Sequence, residues 1–364
     1  MDPAFQINGK TVAWEKLDQF DPSNPFEKTT IDFVRQWLSG TSTFNIHTSG
    51  STGTPKAISI TRKQMETSAR FTINALQLQP FQTALVCLDT GYIAGKMMLV
   101  RALINRMNIM AVNPSSNPLE NISYSPDFAA VVPLQLEEML KYEQVTNHLN
   151  KMSAIIVGGA PISTMLERKL QQITAPVYAT YGMTETVSHI ALKRLNGPEK
   201  SATYTTFEEV KLGLDPRGCL TIQSALTNHE VLITNDLVNL ADNHHFEWLG
   251  RADNTINSGG VKIQSEKVEK VVSQILDELE LPNRFFVAGL PDEKLGQKVC
   301  LIIEAESVQS DLKNIAVRLQ EKLDKYETPK SILSIPHFSE TPTGKINRKK
   351  TLKNLTITNK TQVI

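Results

Sequence analysis

The chain has 364 residues with 38 basic and 38 acidic side chains, so no global field draws it toward nucleic acid or an anionic membrane. Hydrophobic residues make up 40%, an ordinary level for a folded protein, and the length suits two domains. Cys87, Cys219 and Cys300 have no metal-ligand spacing, no apolar run approaches the roughly 18 residues of a membrane span, and "MDPAFQINGKTVAWEKLDQF" does not start like a signal peptide. A soluble, cytoplasmic protein without a membrane anchor is expected.

In chain order, the first distinctive stretch is His47–Lys56, "HTSGSTGTPK". Its glycines and the hydroxyls of Thr48, Ser49, Ser51, Thr52 and Thr54 could form an anion-binding nest, with Lys56 as a point charge. The Walker pattern fails, because Pro55 and Ala57 stand where it needs glycine and a hydroxyl. By itself the stretch could equally be a solvated loop.

A helix is predicted from Ser59 to just before Pro80, on the spacing of Met65, Ala69, Ile73 and Leu76. Buried strands follow at Thr83–Leu88, Asn108–Val112 and Phe128–Val132, with helices "GKMMLVRAL" and "PLQLEEMLKYE" between and after them. "SAIIVGGAPIS" runs from a strand through a glycine turn into a helix, and "APVYATYG" is one more strand. Short apolar strands alternating with helices predict an α/β fold with a mostly parallel sheet, whose ligands bind beyond the strands' carboxyl ends. From about 203 to 250 short strands take over as a small β subdomain. Beyond it come a helix near Val268–Leu279, the pair "RFFVAGLPDEKLGQKVCLIIEA", a helix Leu312–Leu323 and a strand "KSILSI", which form a small α/β C-terminal domain.

Four later segments bear on the opening loop: "TYGMTET" (Thr180–Thr186), "TND" (Thr234–Asp236), "GRADNTINSGG" (Gly250–Gly260) and "TPTGKINRKK" (Thr341–Lys350). In this order they resemble the adenylate-forming superfamily of acyl-CoA synthetases, luciferases and adenylation domains. The segment before the glycine loop is shorter than is usual there. That short form and "GYIAGKMMLVRAL" look like the compact o-succinylbenzoate–CoA ligases of menaquinone biosynthesis.

The resemblance implies an N-terminal domain over 1–252 and a mobile C-terminal domain over 253–364. It implies a ligase that joins a small carboxylic acid to CoA through an acyl-AMP, with ATP and CoA as substrates and Mg²⁺ as cofactor. Thr48, Ser49, Gly50, Ser51, Thr52, Gly53 and Lys56 would hold the β- and γ-phosphates. Thr184 would bond the α-phosphate and Glu185 would hold Mg²⁺. Tyr181, with Gly182 after it, would stack on adenine against a wall of Gly159, Ala160 and Pro161. Asp236 would accept both ribose hydroxyls, Arg251 would reach the ribose or a phosphate, and Asp253 would be the hinge. Lys345 would be the catalytic lysine, with Arg348, Lys349 and Lys350 a solvated face. Ser258, Gly259 and Gly260 would leave room for the pantetheine of CoA. For the acyl group the candidates are Tyr92 as gate, Lys96 to neutralise a second carboxylate, Ser188, and His189, which could as well be a packing residue. Tyr92 replaces a histidine common in relatives, and Asn235 departs from the usual Thr-Gly-Asp. Other acids, or a non-catalytic nucleotide or acyl-adenylate binding protein, are the alternatives. Oligomeric state is left open.

Overall fold

The structure, a computed structural model, describes residues 2–47, 57–281, 284–305, 309–341 and 346–358. Among them, one sheet of thirteen strands dominates the first 251 positions. Its parallel half holds Phe5–Ile7, Asn108–Ala111, Thr83–Val86, Phe128–Val131, Ala154–Val157 and Val177–Gly182, in that spatial order. These central strands are buried on both faces, which is why they read as continuous apolar runs. The β-rich stretch does not stand apart. His189–Arg194 pairs antiparallel with Val177–Gly182, and the same sheet continues through Tyr204–Thr206, His245–Arg251, Leu232–Leu240, Cys219–Gln223 and Lys211–Leu214.

At the start of the chain, Phe5–Ile7 extends the parallel sheet and Lys10–Thr11 turns back along its edge. Helix Pro25–Leu38 then buries Phe26, Ile31, Phe33, Val34 and Trp37; Asn24 caps it and Pro25 opens it. The Glu27 carboxylate gathers Asn8, Lys10 and Ser23 around the first turn.

Ala57–Thr61 is a strand, not the beginning of the predicted helix. It pairs antiparallel with Thr43–His47, so the chain between His47 and Ala57 connects two paired strands. The helix starts at Arg62 because Thr61 and Gln64 form a capping box. "PLQLEEMLKYE" gives Pro133–Met139, with a second helix at Glu143–Leu149.

The first sheet ends at Arg251 and a second begins at Thr255. This five-stranded sheet joins Thr255–Ser258, Val261–Gln264, Gly296–Glu304, Phe285–Asp292 and Ser331–Ile335, and has its own apolar cores against helices Ser265–Glu278 and Gln309–Lys322. A further helix, Arg348–Thr358, was not visible in the pattern. No helix among the described residues is long and apolar enough to cross a membrane.

Candidate active site

Two of the loops singled out lie side by side at the carboxyl end of the parallel strands. Gly158 backs onto Thr180 so closely that a Cβ would collide with Thr180 Oγ1, and that hydroxyl donates to Val157 O at 3.3 Å. Gly159 has φ +88°, which favours glycine, and Gly159, Ala160 and Pro161 are exposed as an uncovered rim.

The sheet curls strongly beyond this point. Tyr181 and Asp236 lie four strands apart along it, yet Tyr181 Oη donates to Asp236 Oδ2 at 2.7 Å. Phe246 and Tyr204 fill the inside of the curl, Phe246 lying edge-on to Tyr181 with centroids 5.0 Å apart. Trp248 Nε1 donates to the other oxygen, Asp236 Oδ1, at 3.3 Å. Burial and the adjoining carboxylate push the Tyr181 phenol up, so it remains a donor. Tyr181 as a whole is only 9% exposed.

Asp236 and Arg251 are direct cross-strand partners. Arg251 Nη1 lies 3.8 Å from Asp236 Oδ1, while its fork pairs bidentately with Asp253 at 2.9 and 3.1 Å. The expected hinge residue thus holds the arginine expected at the ribose or phosphate. The hydrogen bonds from Arg251, set against partial burial, hold the Asp253 carboxyl below the usual range.

After Gly182 the chain makes a short 3-10 turn, Thr184–Thr186, closed by Thr186 Oγ1 accepting from Met183 N. Glu185 is exposed there and has no partner among the described residues. Next comes Val187, buried and β-branched, at φ +66° and ψ −57°, with Ser188 N donating to Thr186 O at 2.7 Å. That is a γ-turn of the strained, positive-φ kind. It brings Ser188 and His189 back against Gly182, where any side chain would strike their backbone.

The acyl candidates fare differently. His189 is buried, with Nε2 3.1 Å from Thr72 Oγ1, and burial together with the nearby Arg101 cation holds its imidazole well below the usual range. These contacts are those of a packed, hydrogen-bonded side chain. The Lys96 ammonium is engaged locally: it donates to Thr90 O at 2.6 Å and Gly91 O at 2.9 Å and lies over the Phe33 ring. It closes the turn that starts its own helix. Tyr92 precedes helix Ile93–Ile104 and is 36% exposed, as an entrance residue would be.

Gly259 and Gly260, at φ +61° and +84°, form the two-residue turn of the hairpin that pairs Ser258 with Val261. Their small size therefore has a backbone reason as well. Arg348 is no solvated residue, since it pairs with Glu269 at 2.9 Å. Thr48 to Gly53, Lys56 and Lys345 lie outside the described residues. Glu340 and Ile346, which flank the Lys345 segment, form a β-bridge.

The model of the AMP-binding enzyme family matches residues 10–212. The chain belongs to the AMP-binding enzyme family, and with it to the adenylate-forming ligases. A 2-succinylbenzoate–CoA ligase from Lactococcus lactis is 26% identical over 323 residues, covering 84% of this chain and 69% of that protein. A solved structure of an acyl-CoA synthetase (AMP-forming)/AMP-acid ligase II-like protein from Dyadobacter fermentans is 41% identical, covering 93% of this chain and 97% of that one at a TM-score of 0.63. The O-succinylbenzoate CoA synthetase of Bacillus subtilis, solved with ATP and magnesium ion, shares the fold at a TM-score of 0.69 and 20% identity, covering 85% of this chain and 69% of that one.

In this AMP-binding enzyme the donor set suits Mg²⁺. Glu185, an exposed carboxylate with no partner among the described residues, is free to take an ion shared with phosphates and water. The residue that sequence reasoning missed is Arg101. Arg101 is 2% exposed, its Nη2 donates to Ser188 Oγ at 3.0 Å, Nη1 meets Met98 Sδ at 3.7 Å, and Nε has no partner among the described residues. No carboxylate among the described residues pairs with it, and burial pushes it down to about 9. A lone arginine inside the apolar run "KMMLVRAL" was the available signal.

Proposed function

We propose that this adenylate-forming ligase couples a dicarboxylic acid to CoA, with 2-succinylbenzoate as the leading substrate. The observation that carries the choice of a dianionic acid is Arg101. A buried guanidinium without a carboxylate pays a large desolvation penalty, and a ligand's second carboxylate beside Ser188 would offset it. The names of the curated relatives support the same acid.

In this reading one carboxylate oxygen attacks the α-phosphorus of ATP, and the bond to pyrophosphate breaks. The CoA sulfur, losing its proton to solvent, then attacks the acyl carbon and AMP departs. The first half brings an anion against a polyanion, so neutralisation and alignment do most of the catalysis. Lys56 and the hydroxyl-rich stretch Thr48–Gly53 hold the outer phosphates, Thr184 bonds the α-phosphate, and Lys345 bridges it to the attacking carboxylate. Glu185 would hold Mg²⁺, which supplies positive charge to the phosphates. Asp236 and Arg251 take the ribose, while Gly159–Pro161 and Tyr181 flank the base. Domain 253–364 turns about Asp253, and Ser258–Gly260 then borders the thiol's path.

The test is pyrophosphate release with ATP, Mg²⁺ and 2-succinylbenzoate, with and without CoA, beside benzoate, succinate and fatty acids. Release with 2-succinylbenzoate, and thioester only when CoA is added, is the expected result. Release with a monocarboxylate alone would overturn the choice of acid. Silence across the panel from folded, ATP-binding protein would favour a non-catalytic binding protein.

A further inference from the structure

We infer that Tyr181 and Trp248 are positioning residues that aim the Asp236 carboxylate at a vicinal diol and so set discrimination between ribo- and deoxyribonucleotides. The inference rests on the reading of Asp236 as the ribose acceptor and adds how that carboxylate is oriented. Asp236 is 7% exposed, and its backbone N–H is fixed by donation to Thr234 Oγ1 at 3.0 Å. The carboxylate torsion is otherwise broad, since a carboxylate on a tetrahedral carbon has no sharp rotamer. Two donors settle it from two different strands. The Tyr181 hydroxyl takes Oδ2 at 2.7 Å and the Trp248 indole N–H takes Oδ1 at 3.3 Å.

An ionised carboxylate has about four acceptor sites. With one on each oxygen occupied, one on each remains, a match for two adjacent hydroxyls that donate one hydrogen bond apiece. A nucleotide lacking either hydroxyl leaves one oxygen of a largely buried anion with a single donor and an empty acceptor site. Both donors are themselves held: Tyr181 packs edge-on against Phe246, and Trp248 is a cross-strand partner of Val238 two residues beyond Asp236. Arg251, 3.8 Å from Oδ1, supplies charge without competing for this geometry.

The test is calorimetric binding of ATP and 2′-deoxy-ATP to the full chain and to Tyr181→Phe, Trp248→Phe and Asp236→Asn variants, which needs no knowledge of the acid. Wild type is expected to prefer ATP by roughly tenfold. Each Phe variant should weaken ATP by roughly three- to tenfold, the worth of a neutral hydrogen bond, and 2′-deoxy-ATP, which keeps the 3′-hydroxyl, by clearly less, so that the preference for ATP narrows. A merely structural role would weaken both nucleotides alike, and that result, or no change in either, overturns the inference. Tyr181→Phe removes one oxygen and keeps the ring, so it decides the matter even where Trp248→Phe does not fold. If Asp236→Asn keeps the wild-type preference, or wild type binds no ATP, the ribose reading falls and takes the inference with it. If Asp236→Asn loses the preference while both Phe variants keep it, the ribose reading stands and the inference alone falls.

Discussion

Arg101 Nη2 donates to Ser188 Oγ across 3.0 Å, which ties an otherwise unpaired buried cation to the residue that follows the strained Val187 turn. Replacing such a charge by an apolar side chain of similar length removes a desolvation penalty. Arg101→Met should therefore raise the stability of the ligand-free protein by about 1–3 kcal/mol. It should also lower kcat/KM for a dicarboxylic acid by roughly a hundredfold, and hardly change it for a monocarboxylic acid. Thermal melts and pyrophosphate release read the two effects separately. A less stable variant, equally impaired on every acid, would make Arg101 a packing residue.

Val187 lets strain be measured directly. Its φ of +66° suits glycine, although the side chain is buried. In ordinary helix or strand interiors glycine is less stable than alanine by up to about 1 kcal/mol. Here the order should reverse, with Val187→Gly more stable than Val187→Ala by about 1–2 kcal/mol in denaturant unfolding. The more relaxed Gly variant should still turn over more slowly, because the turn fixes Thr184, Glu185 and Ser188 relative to one another. An alanine variant more stable than the glycine one would show that the turn is not strained.

Lys96 provides a contrast with Arg101 only five residues away. Both of its short bonds go to backbone carbonyls of its own turn, Thr90 O and Gly91 O. Burial pushes its ammonium down and Asp89 pulls it up. Lys96→Met should cost about 1–3 kcal/mol by leaving carbonyls unpaired, while KM for the acid stays within about twofold. A large KM effect at unchanged stability would restore Lys96 as a substrate contact.

These outcomes explain which parts of the molecule could be read in advance. Thr83–Val86, Phe128–Val131 and Ala154–Val157 are buried on both faces, so composition alone betrays them. Phe5–Ile7 is three residues long, too short to carry a period, and its role depends on partners about a hundred residues away. The helix start slipped because Ser59 and Thr61 are both plausible caps, and Gln64, three residues after Thr61, is what decides between them. Tyr181, Glu185, Asp236 and Arg251 could be singled out as candidates because they lie in motifs. Their couplings could not be read that way. The Tyr181–Asp236 bond depends on how far the sheet curls, and the Arg251–Asp253 pair on which rotamer wins.

Glu27 shows how the short N-terminal segment is held, and it gives a pH test. Burial alone would raise its carboxyl, but hydrogen bonds from Asn8, Ser23 and Lys10 outweigh that and hold it at about 2, against 4.5 for the free group. A depressed carboxyl contributes stability that is fully present above the unfolded-state value and is lost as pH falls toward the folded one. Wild type should therefore lose on the order of 2–3 kcal/mol from this group as pH drops from about 4.5 to 2. Glu27→Gln should be less stable at pH 7 by a similar amount, with a flatter profile across the same window. Because Glu27 joins the first turn of helix Pro25–Leu38 to Asn8 and Lys10 at the sheet edge, the Gln variant should also show faster amide exchange at Phe5–Ile7. Parallel pH profiles for the two proteins would mean that Glu27 titrates normally and that the apolar face of the helix alone anchors the N-terminal segment.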